Sequence, residues 1–488
     1  MTTAVDHRPE PVPEPGESGE APRPWWRTFA GGLSLITLVG LVLRVVYVVG
    51  ARHGVCGGGI LVEGCPGDAW VYRHSALLLA DGHGFVSPVD WAVSHGRLHL
   101  ASADHPPLLI VVLAGASWLG LRSWLAHGLV IALIGTASVV VAGLLGREVG
   151  GRRLGTPIGL LAAALVALSP NVWINDGNVL SESPAILLIL LVAWTAYRCW
   201  ARPSWGRAAL VGALIGLAML VRPESGLLVV LVAAPITLLH RSSPWRDRIG
   251  RLVAVGVVAA AVCAPWVAYN VARFNHPVTL STGFGITLAN TNCDITYYGD
   301  RTGYWSPDCI PPFTRARGED QSDDEQYLRR VGMDYLRSHQ RRFPVVVLAR
   351  LGRMFDVYRV GQQVHLDFYE GRPVWASWIG LVVFYPTVVF AALGAWALRR
   401  RRVPISPLVG PIALVVVNAV LTFGHARYRA PAEGVLLVLA AVGLHAAWRR
   451  ISARRSRARG APRTGPGPRP AGAEGGSSGT TPAPARTP

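Results

Sequence analysis

The segment from residue 155 to residue 200 decides the fold. It reads GTPIGLLAAALVALSPNVWINDGNVLSESPAILLILLVAWTAYRCW, in which two apolar runs, 155–173 and 183–200, are joined by a short polar stretch. A run of this length predicts a transmembrane helix, because only a helix or a closed barrel crosses hydrocarbon with its backbone hydrogen bonds satisfied. The acidic residues Asp176 and Glu182 both lie in the polar stretch. The segment therefore predicts a helical hairpin with a polar turn at one membrane surface.

Similar apolar runs recur along most of the chain. Of its 488 residues, 51% are hydrophobic and 16% are charged, whereas an ordinary soluble domain has about 25% charged residues. This composition excludes a soluble enzyme, a disordered protein and a single-span receptor. We predict an all-α polytopic membrane protein with ten transmembrane helices, near residues 29–49, 123–146, 155–173, 183–200, 207–221, 225–240, 251–271, 377–398, 405–423 and 431–448.

Arginine-rich linkers predict how the spans are oriented. The formal net charge is +18, and all 47 basic residues are arginine, because the sequence contains no lysine. Basic loops stay in the cytoplasm under the positive-inside rule, and five basic linkers fit ten spans only if one span lies between residues 50 and 147. The apolar run 106–120 is therefore expected to lie on the outer surface or dip into it. Both termini are then cytoplasmic, and loops 50–122 and 272–376 are extracytoplasmic.

The domain organisation is one membrane domain between two tails. Residues 28–450 form the transmembrane domain, whereas the Pro/Glu/Gly-rich residues 1–27 and the Arg/Pro/Gly-rich residues 451–488 are expected to be disordered. Two cysteine pairs lie in the outer loops. If those loops face an oxidising compartment, we expect two local disulfides, with free thiols as the alternative; the pairs are Cys56 with Cys65 and Cys293 with Cys309.

Polar clusters next to the spans supply the candidate functional residues. Asp68 begins a short amphipathic helix that also carries Tyr72, and its carboxylate could accept a proton from a substrate hydroxyl or merely cap the helix. Asp104 and His105 precede two prolines, where they would bind a metal or a sugar hydroxyl, or form an interfacial turn. Glu182 lies at a membrane entrance, where an ionisable residue is a functional candidate, with a solvated, helix-capping loop as the alternative.

Arginines in the outer connections are candidates for binding an anion. Arg222 would anchor a phosphate with its planar fork of donors, or else pair with Glu224. Arg427 and Arg429, which follow His425, lie on the outer side, where basic residues are depleted. An anionic ligand would explain them, and snorkelling at a span end is the alternative. Arg44, inside the first span, is expected to snorkel or to face the site.

Taken in order, these motifs resemble the bacterial branch of the GT-C integral membrane glycosyltransferases, which includes relatives of protein O-mannosyltransferase and lipid A aminoarabinose transferase. The resemblance covers about residues 29–448. It rests on Asp68 and Tyr72 with the Gly82-His-Gly-Phe85 turn, His105-Pro-Pro-Leu108, Leu180-Ser-Glu182, Arg222-Pro-Glu224, Asn275-His-Pro-Val278 with Ser281-Thr282, and His425-Ala-Arg427-Tyr428-Arg429-Ala-Pro431.

The resemblance implies a GT-C-like helical bundle and a specific chemistry. Members of the family transfer a sugar, with inversion, from a polyprenyl-phosphate donor to an extracytoplasmic acceptor, and Asp68 matches their catalytic carboxylate. It implies Asp68 as general base and Glu182 orienting the sugar or the acceptor. The residues expected beside the donor phosphate or sugar are Arg222, Arg427, Arg429 and His425. No cofactor is required by this chemistry, and a divalent metal near Asp68, Asp104 and His105 stays an open alternative.

The sugar and the acceptor are left open by the sequence. Mannose and arabinose classes both fit the donor, and the acceptor is a glycolipid, a polysaccharide or a protein of the cell envelope. Protein mannosyltransferases carry an adjacent Asp-Glu where this chain has Asp68-Ala69, which weakens the case for a protein acceptor. Two other functions remain, a transporter or flippase of lipid-linked sugars and a non-catalytic scaffold for envelope assembly. A nucleic-acid partner is not expected, because the arginines flank apolar runs.

Overall fold

The computed structural model describes residues 28–52, 67–312 and 318–460. These residues form an almost entirely helical structure, as predicted, with an antiparallel bridge between Val86 and Ala101. Both terminal tails, apart from residues 451–460, and the pair Cys56 and Cys65 lie outside the described residues.

Six helices of the described part are long and apolar enough to cross a membrane. They cover seven of the ten predicted spans, because the helix Trp124–Leu168 contains two of them. These two spans are separated at Gly151, whose φ of 69° breaks the helix. These helices are α1 (Phe29–Tyr47, continued by the π-helical turn Val48–Arg52), α5 (Trp124–Leu168), α7 (Glu182–Ala201), α10 (Trp245–Val271), α16 (Val374–Arg400) and α18 (Ala426–Gly460).

The other three predicted spans are shorter apolar helices: α8 (Trp205–Met219), α17 (Ser406–Leu421) and the segment Pro223–Leu238, which combines a 3-10 turn, a π-helical turn and the short helix α9 (Ala234–Leu238). At 1.5 Å per residue, fifteen residues of α8 extend about 22 Å, less than the roughly 30 Å of a hydrocarbon core. Glycines let α8 pack closely on α10, because a Cβ on Gly216 would come within 2.8 Å of the Ala259 carbonyl oxygen. The short helix α8 is thus packed along the longer helix α10.

The described part of segment 50–122, the predicted first outer loop, contains three helices: α2 (Gly67–Ala80), α3 (Pro88–Val93) and α4 (Pro107–Trp118). The run 106–120 forms a helix of 12 residues, shorter than the helical segments at the ten predicted spans, and its surface location stays a prediction. The face of α2 formed by Ala69, Tyr72 and Ala76 packs on Leu109 and Leu113 of α4 in a small separate core. This packing fixes the direction of the first turn of α2, which carries Asp68.

The described part of segment 272–376, the predicted second outer loop, is also mainly helical. It contains α11 (Gly283–Thr291), α12 (Asp294–Tyr297), a 3-10 turn (Pro307–Cys309), α13 (Gln321–Ser338), α14 (Phe343–Met354) and α15 (Val360–Asp367). A disulfide joins Cys293 to Cys309, with an S–S distance of 2.02 Å, which confirms this predicted pair. A short connection, residues 368–373, leads from α15 into α16. The four-residue helix α6 (Pro170–Trp173) completes the described α-helices.

The environment of Arg44 differs from the predicted one. It neither snorkels nor faces the polar site, but lies fully buried with Nε 2.7 Å from Asp176 Oδ2. Its other nitrogens donate to the carbonyl oxygens of Gly40, Val166 and Ala167. A buried arginine needs such partners because an unpaired charge in the interior is very costly. Arg44 therefore ties α1 to the end of α5 and to the polar turn before α7.

Candidate active site

Five segments that are distant in sequence, joined by Glu370 of the connection 368–373, meet at one end of the bundle. They are the first turn of α2, the start of α4, the first turn of α7, the connection after α8 and the first turn of α18. A backbone hydrogen bond from Leu108 N to Leu220 O, at 3.0 Å, ties the start of α4 to the end of α8. The structure thus brings together Asp68, Tyr72, His105, Glu182, Arg222 and Arg427, all of which the sequence predicts.

Arg427 is the centre of this group. Its guanidinium donates to three carboxylates from three segments: Nη2 to Asp68 Oδ2 at 2.9 Å, Nε to Glu182 Oε1 at 2.7 Å and Nη1 to Glu370 Oε2 at 2.5 Å. The Arg427 side chain is only 6% exposed, so these are charge-assisted hydrogen bonds in a largely dry site. Arg427 therefore holds α2, α7 and the connection 368–373 to α18.

Asp68 lies at the exposed edge of the group. Its side chain is 42% exposed, and its Oδ1 lies 3.7 Å from His105 Nε2. The His105 ring packs against the Tyr72 ring with centroids 4.3 Å apart. Removal from water raises the pKa of Asp68, but the neighbouring His105 ring and the charge of Arg427 outweigh it and lower that pKa below its ordinary value. Asp68 is thus an ionised carboxylate that a substrate can reach.

Glu182 is buried between two arginines. Its Oε1 accepts from Arg427 and also lies 3.3 Å from Arg222 Nη1, whereas its Oε2 has no hydrogen-bond partner. Arg222 in turn donates through Nε to Glu224 Oε1 at 2.8 Å, which is the pairing weighed as the alternative for it. Arg222 also lies over the Tyr428 ring, 4.9 Å from its centroid. It therefore contacts both Glu182 and Glu224 and is not a free cation.

Glu370 belongs to the site but is absent from the sequence prediction. Besides Arg427, it accepts hydrogen bonds from Trp305 Nε1 at 2.8 Å and from the Tyr304 hydroxyl at 3.4 Å. A signal for it exists, since Glu370 stands just before a span, as Glu182 does. Glu370 and Arg427 are 57 residues apart in the chain. The sequence alone does not predict that the loop between α15 and α16 brings them into contact.

Two other predicted residues lie in neighbouring clusters. Arg429 donates to Glu433 at 2.6 Å, to Asp356 at 2.8 Å and to the Met354 carbonyl oxygen at 2.6 Å. It is almost fully buried and lies over the Phe384 ring. His425 is fully buried beside Asp367. Neither side chain joins the group around Asp68.

Asp104 accepts a hydrogen bond from Ser102 Oγ at 3.1 Å. Burial raises the pKa of Asp104, whereas that of Asp68 is lowered, so the two carboxylates occupy different environments. Among the described residues, no three His, Cys, Asp or Glu side chains are grouped as metal ligands. The guanidinium of Arg427 occupies the space between the three carboxylates of the site.

Comparison with known proteins gives a partial sequence match. Residues 104–269, about a third of the chain, match the family described as Dolichyl-phosphate-mannose-protein mannosyltransferase. This segment includes His105, Glu182 and Arg222. No curated protein sequence matches the chain.

Solved structures give a longer match. The Archaeoglobus fulgidus oligosaccharyltransferase AglB, in complex with an inhibitory peptide and a dolichol-phosphate, is 12% identical, with a TM-score of 0.51 over 91% of this chain and 53% of that chain. The form tethered with an acceptor peptide is 13% identical, with the same TM-score and coverages of 90% and 52%. ArnT from Cupriavidus metallidurans, bound to undecaprenyl phosphate, is 17% identical, with a TM-score of 0.40 and coverages of 88% and 81%.

The chain has a GT-C-type membrane fold. This confirms the fold that the sequence resemblance predicted. The chain spans about half the length of the oligosaccharyltransferase that it matches. At such low identity the likeness concerns the fold, so the chemistry must be argued from the site itself.

Proposed function

We propose that this protein is a membrane glycosyltransferase that moves a sugar from a polyprenyl-phosphate donor to a cell-envelope acceptor with inversion. The observation that carries the proposal is the contact of Asp68 with Arg427. It combines, at one partly open position, a reachable carboxylate and a buried guanidinium. A base and a phosphate-binding cation are the two groups that such a transfer needs.

Asp68 is the proposed general base. It takes the proton of the acceptor hydroxyl while that oxygen attacks the anomeric carbon and forms the new glycosidic bond. The bond from the anomeric carbon to the phosphate oxygen breaks, and the lipid phosphate leaves with the electron pair. Because the phosphate is stable as an anion, no protonating acid is needed, in contrast to the two carboxyl groups of an inverting hydrolase.

Arg427 and Arg222 are the proposed partners of the donor phosphate. Each of the three nitrogens of the Arg427 guanidinium donates to a carboxylate, and we expect the donor phosphate to take the place of one of them. Asp68 is the most exposed of the three and the easiest to displace. If the phosphate draws Arg427 towards itself, the pKa of Asp68 rises and its carboxylate becomes a stronger base at the moment the donor is bound.

The relatives support the lipid-linked donor. The matched family is named for a dolichyl-phosphate-mannose donor, and the oligosaccharyltransferase of the same fold holds a dolichol-phosphate and peptides. For this chain the proposed donor sugar is of the mannose or arabinose class, and the proposed acceptor is extracytoplasmic. The proposed location is the plasma membrane, with the site outside and both termini in the cytoplasm. No metal is required by the proposed step.

Sugar transfer by purified protein tests the proposal. Radiolabelled polyprenyl-phospho-mannose and polyprenyl-phospho-arabinose are supplied with an envelope glycolipid extract, using wild type, Asp68→Asn and Asp81→Asn. Asp81 is the matched control, since it is 43% exposed and pairs with Arg122 at 2.7 Å. We expect label to enter the extract with wild type and Asp81→Asn, and at least about 100-fold less with Asp68→Asn.

Two outcomes would contradict the proposal. Equal transfer by Asp68→Asn would remove Asp68 as the base. Donor that binds equally to all three proteins but never turns over would exclude the transferase. Movement of that donor across a liposome membrane would then identify a flippase.

A further inference from the structure

His425 is the one predicted ligand-binding residue of its motif that is completely enclosed. Its exposed fraction is 0%, so no substrate reaches it, yet it stands two residues before Arg427. Its Nδ1 accepts a hydrogen bond from the Arg427 backbone N–H at 2.9 Å. Since Nδ1 is an acceptor, the ring proton is on Nε2, which lies 3.0 Å from Asp367 Oδ1. The imidazole therefore bridges a carboxylate to the backbone that carries Arg427.

The turn that contains His425 is fixed on its other side as well. Gly424 N donates to Gly303 O at 3.0 Å. A Cβ on Gly424 would overlap the carbonyl oxygen of Arg350, so the turn packs directly on α14. The chain between α17 and α18 consequently has little freedom, and the direction of the first turn of α18 is set by these contacts.

Asp367 is the last residue of α15, and Glu370 lies in the connection 368–373 that follows it. Asp367 faces His425, whereas Glu370 accepts directly from the Arg427 guanidinium. Backbone hydrogen bonds from Glu370 N and Arg372 N to Asp367 O hold this connection compact. Burial raises the pKa of Asp367, but Arg372 and His425 outweigh it and lower that pKa, so the carboxylate is charged. Asp367 thus acts on Arg427 through His425, and Glu370 contacts Arg427 directly.

We propose that His425 and Asp367 are positioning residues, which fix the turn before α18 so that the Arg427 guanidinium reaches Asp68. They act through Arg427 and touch neither the donor nor the acceptor. The inference rests on the proposed function only for its kinetic consequence, because the contact of Arg427 with Asp68 can be measured without any transfer.

Carboxyl labelling measures that contact directly. A water-soluble carbodiimide modifies exposed protonated carboxyl groups, and Asp68 and Asp81 are 42% and 43% exposed, so Asp81 is the internal reference. His425→Ala and Asp367→Asn are expected to raise the Asp68-to-Asp81 labelling ratio by about tenfold for each pKa unit that Asp68 regains. Tyr197→Phe removes a distant buried hydrogen bond to Pro404 O and should leave the ratio unchanged.

A conservative variant separates positioning from general packing. His425→Asn keeps an acceptor near the Nδ1 position for the Arg427 N–H, so it should stay closer to wild type in the labelling ratio than His425→Ala. In sugar transfer, His425→Ala is expected to lower kcat by about 10- to 100-fold through misplacement of Arg427. Donor KM should rise as well, because the misplaced Arg427 is a proposed partner of the donor phosphate.

An unchanged labelling ratio in folded His425→Ala and Asp367→Asn would overturn the inference. An equal ratio in His425→Asn and His425→Ala would overturn the role of the Nδ1 acceptor. If His425→Ala does not fold, Asp367→Asn and His425→Asn decide the question. If wild type transfers no sugar, the proposed function fails, and the labelling ratio still tests the positioning.

Discussion

Arg427 binds three carboxylates with one planar group, which a lysine cannot imitate. A lysine ammonium is a point charge on a flexible stem and cannot direct donors to three segments at once. Arg427→Lys is therefore expected to lower transfer by at least about 100-fold, the size of effect seen when one charge-stabilising donor is lost. The matched control is Arg122→Lys, which changes a partly exposed pair with Asp81. Transfer assays on both variants check this, and equal activities would contradict the role of Arg427.

The lowered pKa of Asp68 predicts a pH profile. A carboxylate acts as a base only when ionised, so a lowered pKa preserves activity as the pH falls. Since kcat/KM reports groups of the free enzyme, its acid limb should lie below the ordinary Asp value of about 3.9. His105→Leu removes the neighbouring polar ring, which is the first of the groups that lower the pKa of Asp68.

The acid limb of His105→Leu should therefore move to higher pH. Profiles of kcat/KM for wild type and His105→Leu measure the shift. The His83→Leu variant serves as a control, since His83 packs with Trp91 and His99 away from Asp68. The same acid limb in wild type and His105→Leu would show that Asp68 is not the group observed.

Residues in short motifs were predictable, and their partners were not. Asp68, Glu182, Arg222 and Arg427 each stand out locally as ionisable residues beside an apolar run. The contact of Asp68 with Arg427 joins residues 359 positions apart, and no local pattern encodes such a distance. The same limit explains why Glu370 was missed and why the buried partner of Arg44 was not foreseen.

At the scale of helices, close packing of α16 against α18 depends on glycine. A Cβ on Gly443 would overlap the carbonyl oxygen of Phe390, and a Cβ on Gly394 would overlap that of Leu439. Such contacts let two helix backbones approach, as small residues do in membrane helix pairs. Gly443→Ala must push the helices apart, and we expect it to cost about 1–3 kcal/mol of stability.

Gly256→Ala is the matched control for this prediction. Gly256 lies within α10, and a Cβ there would meet nothing within 4 Å, so no loss of stability is expected. Thermal unfolding in detergent compares the two variants. A Gly443→Ala protein as stable as Gly256→Ala would contradict the packing of α16 on α18.

The positions of the helices could be predicted because each apolar run is continuous in the sequence. The type of helix and the breaks within it could not be predicted. Hydropathy located the segment 225–240, yet the structure builds it from a 3-10 turn, a π-helical turn and α9. Likewise the two spans within α5 are separated by a single glycine. These details depend on neighbouring helices, which a hydropathy pattern does not specify.

At the scale of the whole molecule, the prediction concerns the sidedness of the bundle. From the Arg-rich linkers we predict that residue 242 lies in the cytoplasm and that residue 298 lies outside the cell. Tyr298 is 56% exposed, and Ser242 is also exposed. In intact cells a membrane-impermeant maleimide should label Tyr298→Cys and not Ser242→Cys, and permeabilised cells should show both. The opposite labelling would contradict both the topology and an extracytoplasmic site.

The anomeric configuration of the product tests the central claim most directly. Purified protein is given a polyprenyl-phosphate donor labelled with ¹³C at the anomeric carbon, together with its acceptor, and the product is examined by NMR. A direct displacement with Asp68 as base predicts one product anomer, inverted relative to the donor, and none with Asp68→Asn. A product that retains the donor configuration, or one formed equally by Asp68→Asn, would contradict the account.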